Sequence, residues 1–212
     1  MEIISLAIAD DHEIFRKGLR IILNELDQVK VMGEAQNGNE LLEILKHHAI
    51  DLVLMDIRMP VMDGIEATRK IVEKYPQTRV IALTMFEEIS YFNQMIEAGA
   101  DGFLLKKTNK DELELAITTV MNGENYFSEE FINKVNRTQR PGAKLIDIDL
   151  TDREQEVLEL ICKGMSNAEI SKFLGVSART VDGHRAHLLE KTGAKNSPHL
   201  VMFAIKNGLI KA

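Results

Sequence analysis

The chain has no tryptophan, one cysteine, four prolines and only 5% aromatic residues among its 212 positions. The lone thiol, Cys162, has no partner within the chain, which excludes a small secreted fold stapled by disulfides. So few prolines, with thirteen glycines, exclude collagen-like and low-complexity classes. No charge-free apolar run approaches the roughly 18 residues of a membrane-spanning helix. The first residues, Met-Glu-Ile-Ile-Ser, lack the basic region of a secretion signal, so the expected location is cytoplasmic. No internal repeat is found. What is present is an ordinary globular composition, 45% hydrophobic and 28% charged, at a length suited to two small domains.

Charge is divided unevenly. Residues 1–148 hold 17 basic and 25 acidic residues, a net −8, and the remainder holds 9 and 8, a net +1. An acidic first part is a poor nucleic-acid surface and a permissive cation site. The second part is only weakly basic, so a nucleic-acid role there must rest on its helices.

Short apolar runs punctuate the first part. Ile3 to Ala9, Val29 to Met32, Asp51 to Asp56, Val80 to Thr84 and Gly102 to Leu105 read as five strands. They do not alternate polar with apolar, as expected of a parallel sheet covered on both faces. Helical spacing lies between them: Phe15, Leu19, Ile22, Leu23 and Leu26; Leu41, Leu42 and Leu45 behind an Asn37 cap; Ile65 to Val72; Ile89 to Ala98; and a last helix behind Thr108, with Asp111 as its box partner, ending near Gly123. The expected fold is a doubly wound α/β sheet followed by a small all-α domain. Residues 1–123 form the first, 124–148 a helical extension (Ser128 to Val135) and linker broken at Pro141-Gly142, and 149–212 the second.

The strands carry polar residues at their carboxyl ends, where open α/β sheets place their sites. Asp10 and Asp11 follow the first strand, Asp56 ends the third, Thr84 the fourth, and Lys106 follows the fifth. Single acids at strand ends are commonly caps and turns. Three together repel one another, and a hard divalent cation, Mg2+, relieves that repulsion. With a lysine and a hydroxyl beside them they suit phosphoryl transfer, with Asp56 accepting the group as an acyl phosphate. Lys107 competes with Lys106, but a strand's period of two lets only one point inward.

In the second part, Thr151 with Glu154 and Ser166 with Glu169 make capping boxes for two helices. The second box opens a short helix carrying Ile170, Phe173 and Leu174. After Gly175-Val-Ser177 a third helix runs to Thr192, and a fourth begins near Ser197-Pro198. Helix, tight turn, helix is what entry into the major groove of double-stranded DNA needs. Val181, Leu188 and Leu189 read as core, and His184 as packing. The polar face offers Arg179, Thr180, Asp182, Gly183, Arg185, Ala186 and His187. Arg185 can reach a phosphate or guanine edge, while Asp182 repels phosphates or accepts from a cytosine amine. A domain of charge +1 is a weak binder alone, so dimerisation is expected.

The chain resembles two-component response regulators of the LuxR/NarL class over nearly its whole length. The receiver pattern is matched by Asp10-Asp11, by Asp56 in Leu-Met-Asp-Ile-Arg-Met-Pro-Val-Met-Asp-Gly, by Thr84, and by Lys106 in Gly-Phe-Leu-Leu-Lys-Lys. The LuxR-type helix-turn-helix is matched by Leu-Thr-Asp-Arg-Glu-Gln-Glu-Val-Leu, Gly-Met-Ser-Asn-Ala-Glu-Ile-Ser and Val-Ser-Ala-Arg-Thr-Val-Asp-Gly-His. The resemblance implies that Asp11, Asp56 and the backbone carbonyl of Arg58 hold Mg2+, with Asp10 assisting, and that a sensor histidine kinase is the donor. It also implies a switch role for Thr84 and Phe103, though Phe103 reads equally as core. A homodimer through the last helix is implied, with Val201, Met202 and Ile205 as candidates, each of which reads equally as core. Asp182 departs from the family's frequent lysine. The reading is a transcription regulator and not an enzyme, with self-phosphorylation from small donors and autodephosphorylation left open. Two rivals stand beside it. An Asp-nucleophile phosphohydrolase would need an acid where Arg58 stands. The last domain is alternatively a protein-docking module.

Overall fold

A computed structural model describes residues 3–85, 89–127, 148, 150–194, 196–207 and 209, without the side chains of 89, 90, 198, 202, 205 and 206. The chain divides into two compact units, Met1–Gly123 and Glu124–Ala212. In the first, strands and helices alternate: β1 (Ile4–Ala9), α1 (Glu13–Asn24), β2 (Val29–Ala35), α2 (Gly38–His47), β3 (Leu52–Asp56), α3 (Gly64–Lys74), β4 (Arg79–Thr84), α4 (Ile89–Ala98), β5 (Gly102–Leu105) and α5 (Lys110–Met121).

The parallel strands of this unit run in the order β2-β1-β3-β4-β5, and a sixth strand beyond the expected five, β6 (Tyr126–Phe127), follows α5 in the chain. Two residues are too short to show a periodicity. The pairings within β1 to β5 are parallel. All of β3 and β5 is buried, which is why their sequences are apolar on both faces. β2 runs three residues past the expected Met32, because Gly33, Glu34 and Ala35 pair with Ala7, Ile8 and Ala9. Helices α2, α3 and α4 pack side by side, whereas α1 and α5 are tied to each other by the Glu25–Lys110 ion pair at 2.8 Å.

Helix starts follow side-chain chemistry. Asn37 accepts the Glu40 N–H at 3.0 Å, and Asp63 the Glu66 N–H at 2.8 Å. For α5 the cap is Asn109, not Thr108: Asn109 accepts the Glu112 N–H at 2.9 Å, while the Thr108 hydroxyl bonds the Glu112 carboxylate.

The second unit contains α6 (Asp152–Cys162), α7 (Asn167–Leu174), α8 (Ala178–Thr192) and α9 (Ser197–Lys206). Both expected capping boxes form, at Thr151 with Glu154 and at Ser166 with Glu169. The turn between α7 and α8 passes through Gly175 at φ 65°, the left-handed region that glycine enters without a steric penalty. Ser177 caps α8 by accepting the Thr180 N–H at 3.1 Å. The cap of α9 is Asn196, which accepts the His199 N–H at 2.9 Å. Val157, Leu158, Ile170, Val181, Leu188, Leu200 and Ala204 form the core. Phe173 is 70% exposed and outside it, because Ile170 already fills the inward face of that short helix. The expected helix at Ser128 to Val135 lies outside the described residues.

Candidate functional site

Sheet register assembles the first site. Ala9 pairs with Met55 and Asp56 with Leu83, so Asp10, one residue past Ala9, is level with Asp56. Thr84 pairs with Leu105, and the Lys106 N–H donates to the Thr84 carbonyl at 2.8 Å. The carboxyl ends of β1, β3, β4 and β5 thus deliver Asp10, Asp56, Thr84 and Lys106 to one edge.

Lys106 is the centre of this cluster. Its Nζ lies 2.6 Å from Asp10 Oδ2 and 2.9 Å from Asp56 Oδ2, and its side chain is 2% exposed. The ring of Phe15 lies under the ammonium at 4.8 Å. Lys107 is exposed, as expected, although β5 ends at Leu105 and both lysines stand in the turn after it, so the strand period is not the cause. Asp10 and Asp56 are buried, and Thr84 is 1% exposed. Burial raises the Asp56 pKa from its ordinary 3.8, opposed by the hydrogen bond and charge of Lys106, while Asp10 adds to the rise. One cation between two carboxylates leaves the cluster with surplus negative charge.

That surplus lies toward the mouth. One ligand atom each from Asp10, Asp11, His12 and Asp56 falls within a 4.8 Å group. Asp11 is exposed there, with His12 Nδ1 2.8 Å from its Oδ1. A set dominated by carboxylate oxygens suits a hard cation such as Mg2+. The Arg58 side chain turns out of the cluster: its Nη2 donates to Tyr91 Oη at 2.5 Å and its guanidinium covers the Tyr91 ring at 4.5 Å. Phe103 is fully buried, edge-to-face with Phe92 at 5.0 Å.

In the second unit, α8 presents Arg179, Thr180, Asp182, Gly183, Ala186 and His187 as exposed residues, while Val181 and Leu188 are buried. His184 is half-buried, as a packing residue should be. Asp182 accepts from Asn167 Nδ2 at 2.5 Å, which ties α8 to the start of α7. At the other end of α8, Lys191 donates to the buried Glu154 at 2.7 Å.

The model for the response regulator receiver domain matches residues 6–118. The model for bacterial regulatory proteins of the luxR family matches residues 149–204. This chain belongs to the response regulators, with a luxR-family output domain. The oxygen regulatory protein NreC of Staphylococcus aureus is 36% identical over 215 residues, covering 97% of this chain and 99% of that protein. NreC of Staphylococcus epidermidis is 35% identical over the same shares. Among solved structures, the response regulator ChrA of a heme-sensing two-component system is 31% identical, with a TM-score of 0.57 over 99% of this chain and 100% of that one. The response regulator RcsB in complex with DNA is 25% identical, with a TM-score of 0.61 over 97% and 99%. A receiver joined to a LuxR-type DNA-binding domain works in phosphorylation-dependent regulation of transcription, and the family is one of regulators, not of classical enzymes.

In this response regulator Arg185 takes another position than expected, and Val201 takes the core one of its two. Arg185 does not extend from the α8 surface: its Nη1 donates to Ser197 Oγ at 3.2 Å and its Nη2 to the Met165 carbonyl at 3.4 Å, so the guanidinium is spent inside the unit. Val201 is 5% exposed, and a side chain used in the core has little area to give a partner. The side chains of Met202 and Ile205 lie outside the described residues. The structure also adds residues that sequence reading passed over. His12 stands at the mouth of the acid pocket and Arg16 lies behind it. The sequence signal for both was simply their nearness to Asp10 and Asp11. Tyr91 is 33 residues from Arg58, and no local pattern announces that contact.

Proposed function

We propose that Asp56 is the phosphoacceptor and that its phosphorylation controls engagement of double-stranded DNA by α8. The observation that carries this is the buried Asp10–Lys106–Asp56 bridge with Asp11 beside it. An Asp56 carboxylate oxygen attacks the phosphorus of a phosphohistidine on a partner histidine kinase. The new O–P bond forms as the N–P bond breaks, and the electron pair leaves with the imidazole. Lys106 offsets charge on the transferred oxygens, and the Thr84 hydroxyl donates to one of them. Mg2+, held by Asp11, Asp56 and the Arg58 carbonyl with Asp10 assisting, would supply further electrostatic stabilisation of the phosphoryl oxygens. Small phosphoryl donors are chemically competent in the same step, so self-phosphorylation and autodephosphorylation belong to this reading.

The phosphoryl group adds charge beside Thr84 and Lys106. Thr84 and Phe103 then move together, shifting the population of states around α4 and β5. The chain divides by function into a receiver (1–123), a connecting segment (124–148) and a DNA-binding domain (149–212). Two copies on DNA double the phosphate contacts of a weakly charged domain, so the active form is a homodimer. Arg179, Thr180, Asp182, Gly183 and His187 form the contact face, with the first two on phosphates. The α9 side chains of Met202 and Ile205 are the dimer candidates. Its DNA target puts the protein in the cytoplasm, and no helix among the described residues is long and apolar enough to cross a membrane.

The test is acid-labile phosphate incorporation by the full chain from a phosphorylated kinase, with DNA retardation measured alongside. Asp56→Ala loses incorporation and the phosphorylation-dependent part of DNA binding. Unchanged incorporation in that variant overturns the reading. Multiple-turnover release of phosphate from a phosphomonoester would favour the phosphohydrolase instead.

A further inference from the structure

A buried guanidinium requires hydrogen-bond partners on every side it exposes to protein. Arg16, on α1, is 7% exposed. Its Nη1 donates to the backbone carbonyl of Asp10 at 2.5 Å, and its Nε to Glu34 Oε2 at 3.1 Å. Glu34 stands on β2 and also accepts from Arg20 Nη1 at 2.6 Å. A carboxylate of the neighbouring strand therefore braces the arginine against the turn that leaves β1.

We propose that Arg16 is a positioning residue: by fixing the Asp10 carbonyl it sets the orientation of Asp11 toward Asp56 and so the affinity of the acid pocket for a divalent cation. The inference rests on the phosphoacceptor reading of that pocket. Asp10 is held at each of its polar atoms. Its N–H donates to the Ala35 carbonyl at 3.0 Å, and its Oδ1 accepts the His12 N–H at 2.8 Å. Its Oδ2 faces Lys106 at 2.6 Å, and its carbonyl belongs to Arg16. That carbonyl lies in the peptide plane joining Asp10 to Asp11. Rotation of this plane swings the Asp11 side chain, the acid nearest solvent in the group. Without Arg16 the plane is free to turn, and repulsion among the acids turns it outward. A cation must then pull Asp11 back as it binds. Partners behind metal ligands typically contribute about 10–100-fold in affinity, and the expected loss lies in that range.

The experiment is calorimetric titration of Mg2+ into the full chain, with amide hydrogen exchange at Asp11 and His12 measured in the absence of cation. Arg16→Met should weaken Mg2+ about 10–100-fold and speed exchange of the His12 amide, with exchange across β3 and β4 unchanged. Arg16→Lys, which can reach the Asp10 carbonyl or Glu34 but not both, should restore part of the affinity. A folded Arg16→Met with wild-type Mg2+ affinity overturns the proposal. Should that variant fail to fold, Arg16→Lys decides: weakened binding supports the brace, and wild-type binding overturns it. Asp11→Asn separates the two layers. If it binds Mg2+ like wild type, the pocket reading falls and takes the brace with it. If it loses Mg2+ while Arg16→Met does not, the brace alone falls.

Discussion

Burial pushes the Asp56 carboxyl above its ordinary 3.8, and Lys106 is the main influence opposing it. On the proposed reading the Asp56 carboxylate is the nucleophile, so phosphoryl uptake should fall as pH drops through that raised value. Lys106→Met should move the midpoint of the uptake profile upward and cut uptake at neutral pH about 100-fold. A pH profile with a small phosphoryl donor checks both. The same shift bears on stability. A carboxyl whose folded pKa is raised stabilises the fold below its unfolded pKa, and that contribution is lost as pH rises through the folded value. Asp56→Asn should therefore raise the melting temperature at neutral pH and leave little difference in acid. Lys106 keeps Asp10 as its partner in that variant, so no buried charge is orphaned. The proposed phosphoacceptor is thus held at a cost to the fold.

Elements meet most tightly where α3 begins. A Cβ on Gly64 would lie 2.1 Å from the Asp56 carbonyl oxygen, which is backbone and cannot step aside. Gly64→Ala should cost about 2 kcal/mol or more and lower phosphoryl uptake with it, because the displaced atoms belong to Asp56 itself. Gly18 is the counter-case, with nothing within 4 Å of a Cβ. Gly18→Ala in α1 should stabilise by about 0.5–1 kcal/mol. Chemical denaturation of the two variants makes the comparison. In the second unit, Glu154 joins the cap of α6 to the end of α8. Hydrogen bonds from Lys191 and from Thr151 hold its pKa at about 2, against an ordinary 4.5. A depressed carboxyl stabilises above its unfolded pKa and loses that contribution as pH falls toward the folded one. The second unit should therefore weaken between pH 4.5 and about 2. Glu154→Gln should flatten that dependence and cost about 2 kcal/mol at neutral pH. Unfolding followed across this pH range is the check.

At the scale of the whole molecule, charge asymmetry shapes the DNA step. Arg185 is turned inward, so the proposed contact face of α8 has Arg179 as its only arginine among the described residues. Affinity of one copy should be low and strongly salt-dependent. When two phosphorylated copies bind together, the slope of log affinity against log salt should roughly double. Mobility shifts over a salt series, with and without phosphoryl donor, measure this. An unchanged slope would mean that phosphorylation acts without bringing a second copy to the duplex.

The linear chain determined the α/β alternation, the residues at the strand ends, the helix caps at Asn37, Thr151 and Ser166 and the helix-turn-helix, because each is written in local periodicity or in spacings of three residues. Asp10, Asp11, Asp56, Thr84 and Lys106 were legible because parallel strands end at a common edge whatever their exact register. Only the tertiary structure decided that Lys106 lies between Asp10 and Asp56, that Arg58 turns to Tyr91, and that Arg185 and Val201 face inward. These depend on contacts between elements distant in sequence, where a side chain's direction is set by what surrounds it and not by its own neighbours along the chain. The β6 strand escaped reading for a simpler reason: two residues are fewer than one period needs to be recognised.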